Sequence, residues 1–140
     1  MKLVLSDSIH NDMLAVARAA APLEACGLLA GNDGRVEKCY VLTNEDASAD
    51  HFTMRPEEQF AAVKDMRGRG LKMLAIWHSH PATPARMSEE DMRLAYTPDT
   101  AYVILSLAEP EWPRLKAFRV EDGVAHETPV VIEEEESKPL

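Results

Sequence analysis

The segment that most restricts the fold is an apolar run followed at once by two histidines and a proline. Met73 to Trp77 are all apolar, which predicts a buried strand, and His78 and His80 follow directly. Side chains alternate between the two faces of a strand, so both imidazoles are expected on one face at its end. Pro81 has no amide hydrogen for a strand ladder, and we expect the strand to end there.

A short helix is predicted a few residues later, and its first turn carries a carboxylate. Ser88 and Asp91 open this helix, and an acid in the first turn can reach back toward the end of the strand. Two imidazoles and one carboxylate suit a first-row divalent metal such as zinc, and they leave a fourth position for water. His78, His80 and Asp91 are therefore the predicted metal ligands of a site open enough for catalysis.

A structural interpretation of the same residues is also open. Two histidines can be ordinary polar residues at the end of a strand. Ser88 and Asp91, three residues apart, also match a capping box, in which the serine caps the helix and the acid bonds back. Each half alone favours this interpretation, whereas the two halves in this order indicate a metal site.

Glu24 is the candidate for a catalytic base. Hydrolysis at a metal site needs a group that takes a proton from water and later gives it to the leaving amine. Glu24 stands at the head of the segment Ala25–Gly31, which is otherwise apolar. A solvated acid at the start of a strand is the alternative interpretation of this residue taken alone.

Composition and charge exclude several classes of function. The chain has 140 residues, 46% hydrophobic and 28% charged, which fits one globular domain with a substantial core. The formal net charge of −9 comes without an evident basic cluster in the sequence, which argues against nucleic-acid binding and a polybasic membrane anchor.

The lack of a recognisable targeting signal and the spacing of the cysteines predict a cytoplasmic protein. No apolar stretch approaches the ~20 residues of a transmembrane helix, and the N-terminus does not resemble a signal peptide. Cys26 and Cys39 lack any metal or redox spacing and are expected to be free thiols, with a bridge between adjacent strands left open.

Strand and helix patterns interleave along the chain, with hairpins near both ends. This arrangement predicts an α/β (α+β) fold with a single mixed β-sheet flanked by helices on both faces, rather than an all-parallel sheet. Residues 1–132 are predicted to form the domain, and residues 133–140, with four Glu, a flexible acidic tail. Strands are predicted at 2–5, 24–31, 35–43, 51–54, 73–77, 102–107, 115–120 and 124–132, and helices at 9–20, capped by Ser8 or Asp7, at 56–67 and from 88.

Together, Glu24, the segment His78-Ser79-His80-Pro81, Ser88 and Asp91 resemble the JAMM (MPN+) family of zinc metalloproteases. The family pattern is a glutamate, then His-x-His-Pro, six residues, Ser, two residues and Asp, and every position is filled here. The resemblance covers most of residues 1–131, including flanks typical of the compact prokaryotic, stand-alone members. Met87 replaces a proline that many members have before the serine, which bears on the rigidity of the loop.

The resemblance implies a fold, a set of roles and a cofactor. The fold would be the JAMM/MPN fold, which is related to that of cytidine deaminase. His78, His80 and Asp91 would hold one zinc ion per chain, Glu24 would be the general base and acid, and Ser88 would hydrogen-bond the developing oxyanion. Cytidine deaminase activity itself is excluded, because the chain lacks His-x-Glu and Pro-Cys-x-x-Cys segments.

The resemblance also implies a substrate class. The family cleaves amide bonds, mostly at the C-terminal tail of ubiquitin-like proteins, and the short connections here leave little room for the insertions of eukaryotic deubiquitinases. The implied partner is a β-grasp sulfur carrier of the ThiS or MoaD type that ends in Gly-Gly. Two alternatives remain: a non-catalytic MPN-type binding module, and a zinc amidohydrolase acting on small molecules. His51 could line the cleft, although a surface position is favoured for it.

Overall fold

The fold is a single eight-stranded sheet with helices packed on both faces. The computed structural model describes residues 2–95, 97 and 99–134. Within them, three helices are present, α1 (Asp7–Ala20), α2 (Pro56–Gly68) and α3 (Glu89–Leu94). The strands are β1 (Leu3–Ser6), β2 (Cys26–Asn32), β3 (Arg35–Leu42), β4 (Lys72–His80), β5 (Ala101–Ser106), β6 (Arg114–Glu121), β7 (Val124–Thr128) and β8 (Val130–Glu133).

The sheet is mixed, as predicted, and its two outermost strands are consecutive in sequence. The spatial order is β7-β6-β5-β4-β2-β3-β1-β8. β4 and β5 are parallel, as are β1 and β3 and β1 and β8, while the other pairs are antiparallel. Only Pro129 separates β7 from β8, so the sheet must curve until its two edges approach one another.

The predicted single strand over 124–132 is therefore wrong, and Pro129 gives the physical reason. Proline cannot donate to a strand ladder, and it lies where the segment changes partners from β6 to β1. Its carbonyl instead accepts a hydrogen bond from the Leu3 amide at 2.9 Å. The segment thereby forms both edges of the sheet, with β7 at one end of the strand order and β8 at the other.

The two faces of the sheet bury different sets of residues, because side chains alternate along each strand. α1 packs through Met13 and Ala17 on one face, against Leu29 of β2 and Trp77 of β4. α2 packs on the opposite face with its own buried cluster. The members of that cluster are Cys26, Leu28, Ala30, Met54, Ala62 and Met66. Helices on both faces were predicted from the interleaved pattern, and the structure confirms them.

Several predicted element boundaries shift by one or two residues. α1 is capped by Ser6, whose Oγ accepts a hydrogen bond from the Ile9 amide at 3.2 Å, and not by Ser8 or Asp7. β2 begins at Cys26, so Glu24 precedes the strand. The brief strand predicted at 51–54 is an isolated bridge between Asn44 and Met54.

The C-terminal strand extends one residue further than predicted. Glu133, the first residue of the predicted acidic tail, is the last residue of β8 and forms an ion pair with Arg35 at 2.8 Å. Residues 135–140 of that tail lie outside the described residues. Within the described part of the chain, Cys26 and Cys39 are free thiols, and no helix has the length and apolar character needed to cross a membrane.

Gly27 lies where two neighbouring groups approach the backbone of β2 too closely for a side chain. A Cβ atom there would stand 1.9 Å from the Tyr40 carbonyl oxygen and 2.4 Å from Nε1 of Trp77. Trp77 is fully buried and adjoins His78, so it has little freedom to move away. The glycine is therefore required by close packing next to the histidine-bearing strand.

We expect Gly27→Ala to lower the free energy of unfolding by ~3 kcal/mol or more, because the added methyl group displaces backbone or the Trp77 ring. The control is Gly68→Ala, at the end of α2, where a Cβ atom meets nothing within 4 Å. That change should be neutral or stabilise the chain by about 0.5 kcal/mol. Chemical denaturation measures the free energy of unfolding of both variants. Equal changes in the two variants would contradict the claim that close packing requires a glycine at position 27.

Candidate metal and catalytic site

The central strand β4 presents His78 and His80 on one face of the sheet. β4 lies between β2 and β5, with His78 opposite Cys26 on one side and Ile104 on the other. The two side chains are 3% and 5% exposed. They lie on the face that carries α2, and this position was predicted from the alternation of side chains.

The short helix α3 brings the third group. Ser88 is its N-cap, and its Oγ accepts a hydrogen bond from the Asp91 amide at 3.0 Å. Asp91 Oδ2 in turn accepts a hydrogen bond from the Ser88 amide at 2.9 Å. The capping box is therefore present, as the structural interpretation of these residues required.

The capping box and the cluster of potential ligands share the same carboxylate. Asp91 Oδ1 lies 3.2 Å from His78 Nε2, and Asp91 Oδ2 lies 3.1 Å from His80 Nε2. The two Nε2 atoms are 3.1 Å apart, and one potential ligand atom from each of the three residues lies within 4.8 Å of the others. The structural and metal-binding interpretations are thus compatible.

Charge and burial within the cluster favour an ionised carboxylate. Burial alone would raise the pKa of Asp91, but hydrogen bonds from His78 and His80 hold it well below its usual range. Burial lowers the pKa of His78. Burial would also lower the pKa of His80, but the hydrogen bonds to Asp91 and to the Pro84 carbonyl raise it overall.

Outer contacts orient both rings. His80 Nδ1 lies 2.9 Å from the Pro84 carbonyl oxygen, which can only accept, so Nδ1 carries a hydrogen and Nε2 is the nitrogen that faces Asp91 and could bind a metal ion. The Phe52 ring stacks on His78 with centroids 4.8 Å apart. Neither contact was predicted from the sequence, because both partners come from irregular loops.

Glu24 lies beside this cluster with its side chain buried and incompletely paired. It is only 3% exposed, and its Oε1 atom has no hydrogen-bond partner among the described residues. Burial raises the pKa of Glu24 to about 8, against a partly opposing effect of His80. The alternative interpretation of Glu24 as a solvated acid is therefore wrong.

The backbone around Glu24 is held from three sides. The Glu24 amide donates to the Ser48 carbonyl at 2.7 Å, and Asn44 Nδ2 donates to the Glu24 carbonyl at 3.2 Å. Ser79, between the two histidines, accepts a hydrogen bond from the Ala25 amide through its Oγ at 2.8 Å. Sequence reasoning missed Ser79 and Asn44, although a serine facing the apolar side of a buried strand is itself a signal that needs a partner.

The same Asn44 side chain organises the loop that carries Phe52. Its Nδ2 also donates to the His51 carbonyl at 3.0 Å, and its Oδ1 accepts from the amides of Asp46 and Thr53. The loop that stacks Phe52 on His78 is thus tied to Glu24 through one amide group. Both donors and the acceptor of the amide are used, which explains why an asparagine fits this position.

A cavity of about 340 Å³ opens beside the cluster. His51, Phe52, Met87, Asp91 and Tyr102 contribute to its wall. His51 was favoured as a surface residue, and its side chain is 44% exposed; it also lines the cavity while hydrogen-bonding Ser48 and Asp50. Contact with Asp50 raises the pKa of His51.

The donor set suits zinc. Two imidazole nitrogens and one carboxylate are a common zinc set, and the buried carboxylate needs positive charge nearby to offset its desolvation. The rigid outer contacts of His80 and Asp91 are those that metal ligands typically have. His78, His80 and Asp91 therefore fit the ion that the sequence motif implies.

Comparison with known proteins gives the same picture over nearly the whole chain. The sequence pattern that describes prokaryotic homologs of the JAB domain matches residues 6–121. A curated relative named CysO-cysteine peptidase, from Mycobacterium tuberculosis, is 36% identical over 135 residues, which cover 95% of this chain and 92% of the relative.

Solved structures resemble the fold as well. A protein of Desulfitobacterium hafniense with a known solution structure is 48% identical, with a TM-score of 0.87 and coverage of 96% of this chain and 94% of the other. The crystal structure of a JAB1/MPN domain protein from Archaeoglobus fulgidus aligns with a TM-score of 0.61 at 24% identity, covering 92% and 99% of the two chains. At that identity the second likeness concerns the fold alone, and it confirms the predicted MPN architecture.

Burial of Glu24 should make the metal-free protein less stable as pH rises. The unfolded carboxyl ionises near 4.5 and the folded one near 8, so the unfolded state loses its proton first and is favoured between these values. Glu24→Gln removes this dependence. We expect the free energy of unfolding of the variant, relative to the wild type, to rise by about 3 kcal/mol between pH 5 and pH 8. This figure is smaller than the full value that the difference in pKa would give.

The measurement is chemical denaturation of both proteins in chelator at several pH values. Glu111→Gln, an exposed carboxyl in the turn before β6, is the control and should track the wild type at every pH. A Glu24→Gln gain that stays constant with pH would contradict the assigned pKa shift.

Proposed function

The chain belongs to the family of prokaryotic homologs of the JAB domain and is a peptidase, and we propose that it uses zinc to cleave amide bonds at the C-terminal tail of ubiquitin-like sulfur carriers. The observation that carries the proposal is the convergence of His78, His80 and Asp91 within 4.8 Å, beside a buried glutamate that lacks a full set of partners. This combination supplies both a metal site and a proton carrier.

His78 and His80 through their Nε2 atoms, with a carboxylate oxygen of Asp91, would hold the zinc ion. Bound there, zinc would lower the pKa of water and would polarise the carbonyl under attack. The protein contributes the geometry: β4 fixes both rings, and the capping box fixes the carboxylate before any ion arrives. With a doubly charged zinc ion, two neutral imidazoles and one aspartate would leave the site with a net charge of +1. That charge would favour a developing oxyanion.

Glu24 would carry the proton. Burial raises the pKa of Glu24 to about 8 in the metal-free site, and the positive charge of a bound zinc ion would lower it again, so the carboxyl could accept and return a proton near neutral pH. It takes a proton from the attacking water and delivers it to the amine of the leaving group. Hydrogen bonds of its backbone with Ser48 and Asn44 fix the point from which its side chain reaches the cluster.

Ser88 would stabilise the oxyanion. Its Oγ accepts the Asp91 amide hydrogen at 3.0 Å, but its own hydroxyl hydrogen is not used by that bond. The same serine can therefore cap α3 and donate to substrate. Metal ligation, proton transfer and oxyanion binding are thus assigned to five residues, all of which are present in this chain.

The substrate class follows from the relative named CysO-cysteine peptidase, since CysO is a ubiquitin-like sulfur carrier. We infer that this chain likewise cleaves after the terminal Gly-Gly of a β-grasp carrier, releasing an adduct or trimming an extension. A cytoplasmic location, where such carriers act, is part of the same proposal. A non-catalytic binding module is disfavoured, because such a module has no use for a buried, poorly paired Glu24.

Metal analysis tests the site itself. We expect about one zinc per chain in the wild type and at least ~100-fold weaker binding in Asp91→Asn, because even outer partners of metal ligands contribute roughly 10–100-fold. Asparagine keeps a cap acceptor, so α3 should persist by circular dichroism. Glu90→Gln is the control in the same helical turn and should bind normally. Retention of zinc by Asp91→Asn would contradict the ligand assignment.

Cleavage assays test the substrate class. Carriers that bear C-terminal extensions after Gly-Gly, including CysO with a terminal cysteine, should be cut by the zinc-loaded protein. Glu24→Gln should lose about 10³-fold in kcat, and Ser88→Ala about 10²-fold, which are the usual sizes for a lost acid–base group and a lost oxyanion donor.

Loss of a helix cap needs its own control. Ser6→Ala removes the N-cap of α1 and costs ~1 kcal/mol of stability, but it should leave activity intact. An equal loss of activity in Ser6→Ala and Ser88→Ala would mean that Ser88 acts only as a cap. Cleavage of small amides but of no carrier would redirect the proposal toward a small-molecule amidohydrolase.

A further inference from the structure

A second cavity, of about 330 Å³, has a basic wall. Arg86, from the loop between His80 and α3, and Arg114 and Lys116, from β6, line it together with a single acid, Glu109. These residues are distant in sequence, which is why no basic cluster is evident there. Folding concentrates positive charge at one point of a chain whose formal net charge is −9.

This basic cavity lies on the same face of the sheet as the metal ligands. The register places Ser106 opposite His80 on one side and opposite Arg114 on the other. Ile104 connects His78 to Lys116 in the same way. Directly opposed residues share a face, so the two cations of β6 lie two strands, or ~10 Å, across the sheet from the histidines.

Two of the three cations have no partner of their own. Within residues 2–95, 97 and 99–134, the side chains of Arg86 and Arg114 form no ion pair, and both are exposed. Lys116 forms an ion pair with Glu127 at 3.5 Å. Unpaired arginines around a cavity keep their charge available to an anionic group, and arginine binds carboxylates with two parallel hydrogen bonds.

An exposed tryptophan, Trp112, lies on the chain between Glu109 and Arg114 of the basic wall. Trp112 lies in the same turn as Glu109, whose carbonyl accepts its amide hydrogen at 2.9 Å, and its side chain is 69% exposed. Tryptophan and arginine are the residues most enriched among energetic centres of protein interfaces. The combination indicates a surface for a folded protein with acidic residues, more than a site for a free small anion.

We propose that Arg86, Arg114, Lys116 and Trp112 form a docking surface for an acidic face of the folded carrier, while its tail reaches the metal site. The inference rests on the proposed function and adds the part of the substrate that is recognised outside the scissile bond. A domain of about 100 residues has a radius of gyration of about 13 Å, so a carrier with its tail at the histidines has its body within reach of β6.

The distribution of charge on this chain would allow the basic surface to set the orientation in which the carrier binds. A carrier with an acidic surface is repelled by a chain of net charge −9 over most approaches, and a local cationic patch selects one of them. Such a contact acts mainly on association, so it should appear in KM and in the dependence on salt. It should contribute little to the chemical step.

Two substrates with the same scissile bond separate docking from cleavage. The first substrate is an intact carrier with its C-terminal extension. It is the carrier that the wild type cleaves best in the cleavage assays proposed for the substrate class. The second is the isolated tail peptide of that carrier with the same extension. The ratio of kcat/KM for carrier to kcat/KM for peptide then reports what the folded domain contributes.

The test compares two double charge reversals. Arg86→Glu/Arg114→Glu changes the proposed surface, and Lys64→Glu/Lys72→Glu makes the same change in net charge at exposed lysines elsewhere. We expect the carrier-to-peptide ratio to fall about tenfold in the first variant, and to lose its dependence on salt between about 0.05 and 0.5 M. The control should keep the ratio within about twofold.

The outcomes distinguish the two proposals. Equal falls in both double variants would show only long-range repulsion and would overturn the docking surface. An equal loss on peptide and carrier would place the tail itself in the basic cavity, which also overturns it. Recovery of the ratio when acidic residues of the carrier are changed to lysine would support it directly.

If the wild type cleaves none of the carriers, the proposed function fails and binding decides the docking surface. NMR titration of the labelled, zinc-loaded chain with the uncleaved CysO carrier then serves as the readout. Shifts centred on Arg86, Arg114 and the Trp112 indole support the surface, and shifts elsewhere or none overturn it.

Discussion

A buried carboxylate is the constraint on which the candidate site depends. Taking Asp91 out of water costs several kcal/mol unless the charge is compensated, and here it is met by two imidazoles and by the first turn of α3. These partners come from two different secondary-structure elements. The imidazoles belong to the central strand β4, and the amide belongs to the N-terminus of α3. The site therefore forms only when sheet and helix are both in place.

The position of β4 within the sheet makes this arrangement possible. β4 lies near the middle of the eight strands, between β2 and β5. α1 fills one face and buries Trp77, which leaves the other face of β4 to present His78 and His80. Gly27 lets the neighbouring strand approach closely enough for this packing. The catalytic face is thus supported from behind by the largest side chain of the core.

Local patterns in the sequence were sufficient to predict the metal cluster and the fold class. Alternation along β4 placed both histidines, and the serine–aspartate spacing placed the helix, because each is a short-range rule. The positions of Asn44, Ser79 and Phe52 depend on contacts between segments up to 54 residues apart, which no local period encodes. The basic surface was missed for the same reason, since its residues are brought together only by strand register. The split of the last strand at Pro129 was signalled by the proline, but the signal was not used.

The capping box has one more consequence, which concerns the entropy of metal capture. α3 has six residues, too few to be stable by itself, and its N-terminal bonds order the Asp91 carboxylate whether or not an ion is present. The rings of His80 and His78 are likewise held by a carbonyl and by a stacked aromatic ring. Binding of a metal ion by these three residues would then cost little conformational freedom, so the free energy of coordination would go largely into affinity. A chain built this way could retain a metal ion even where the free ion is scarce.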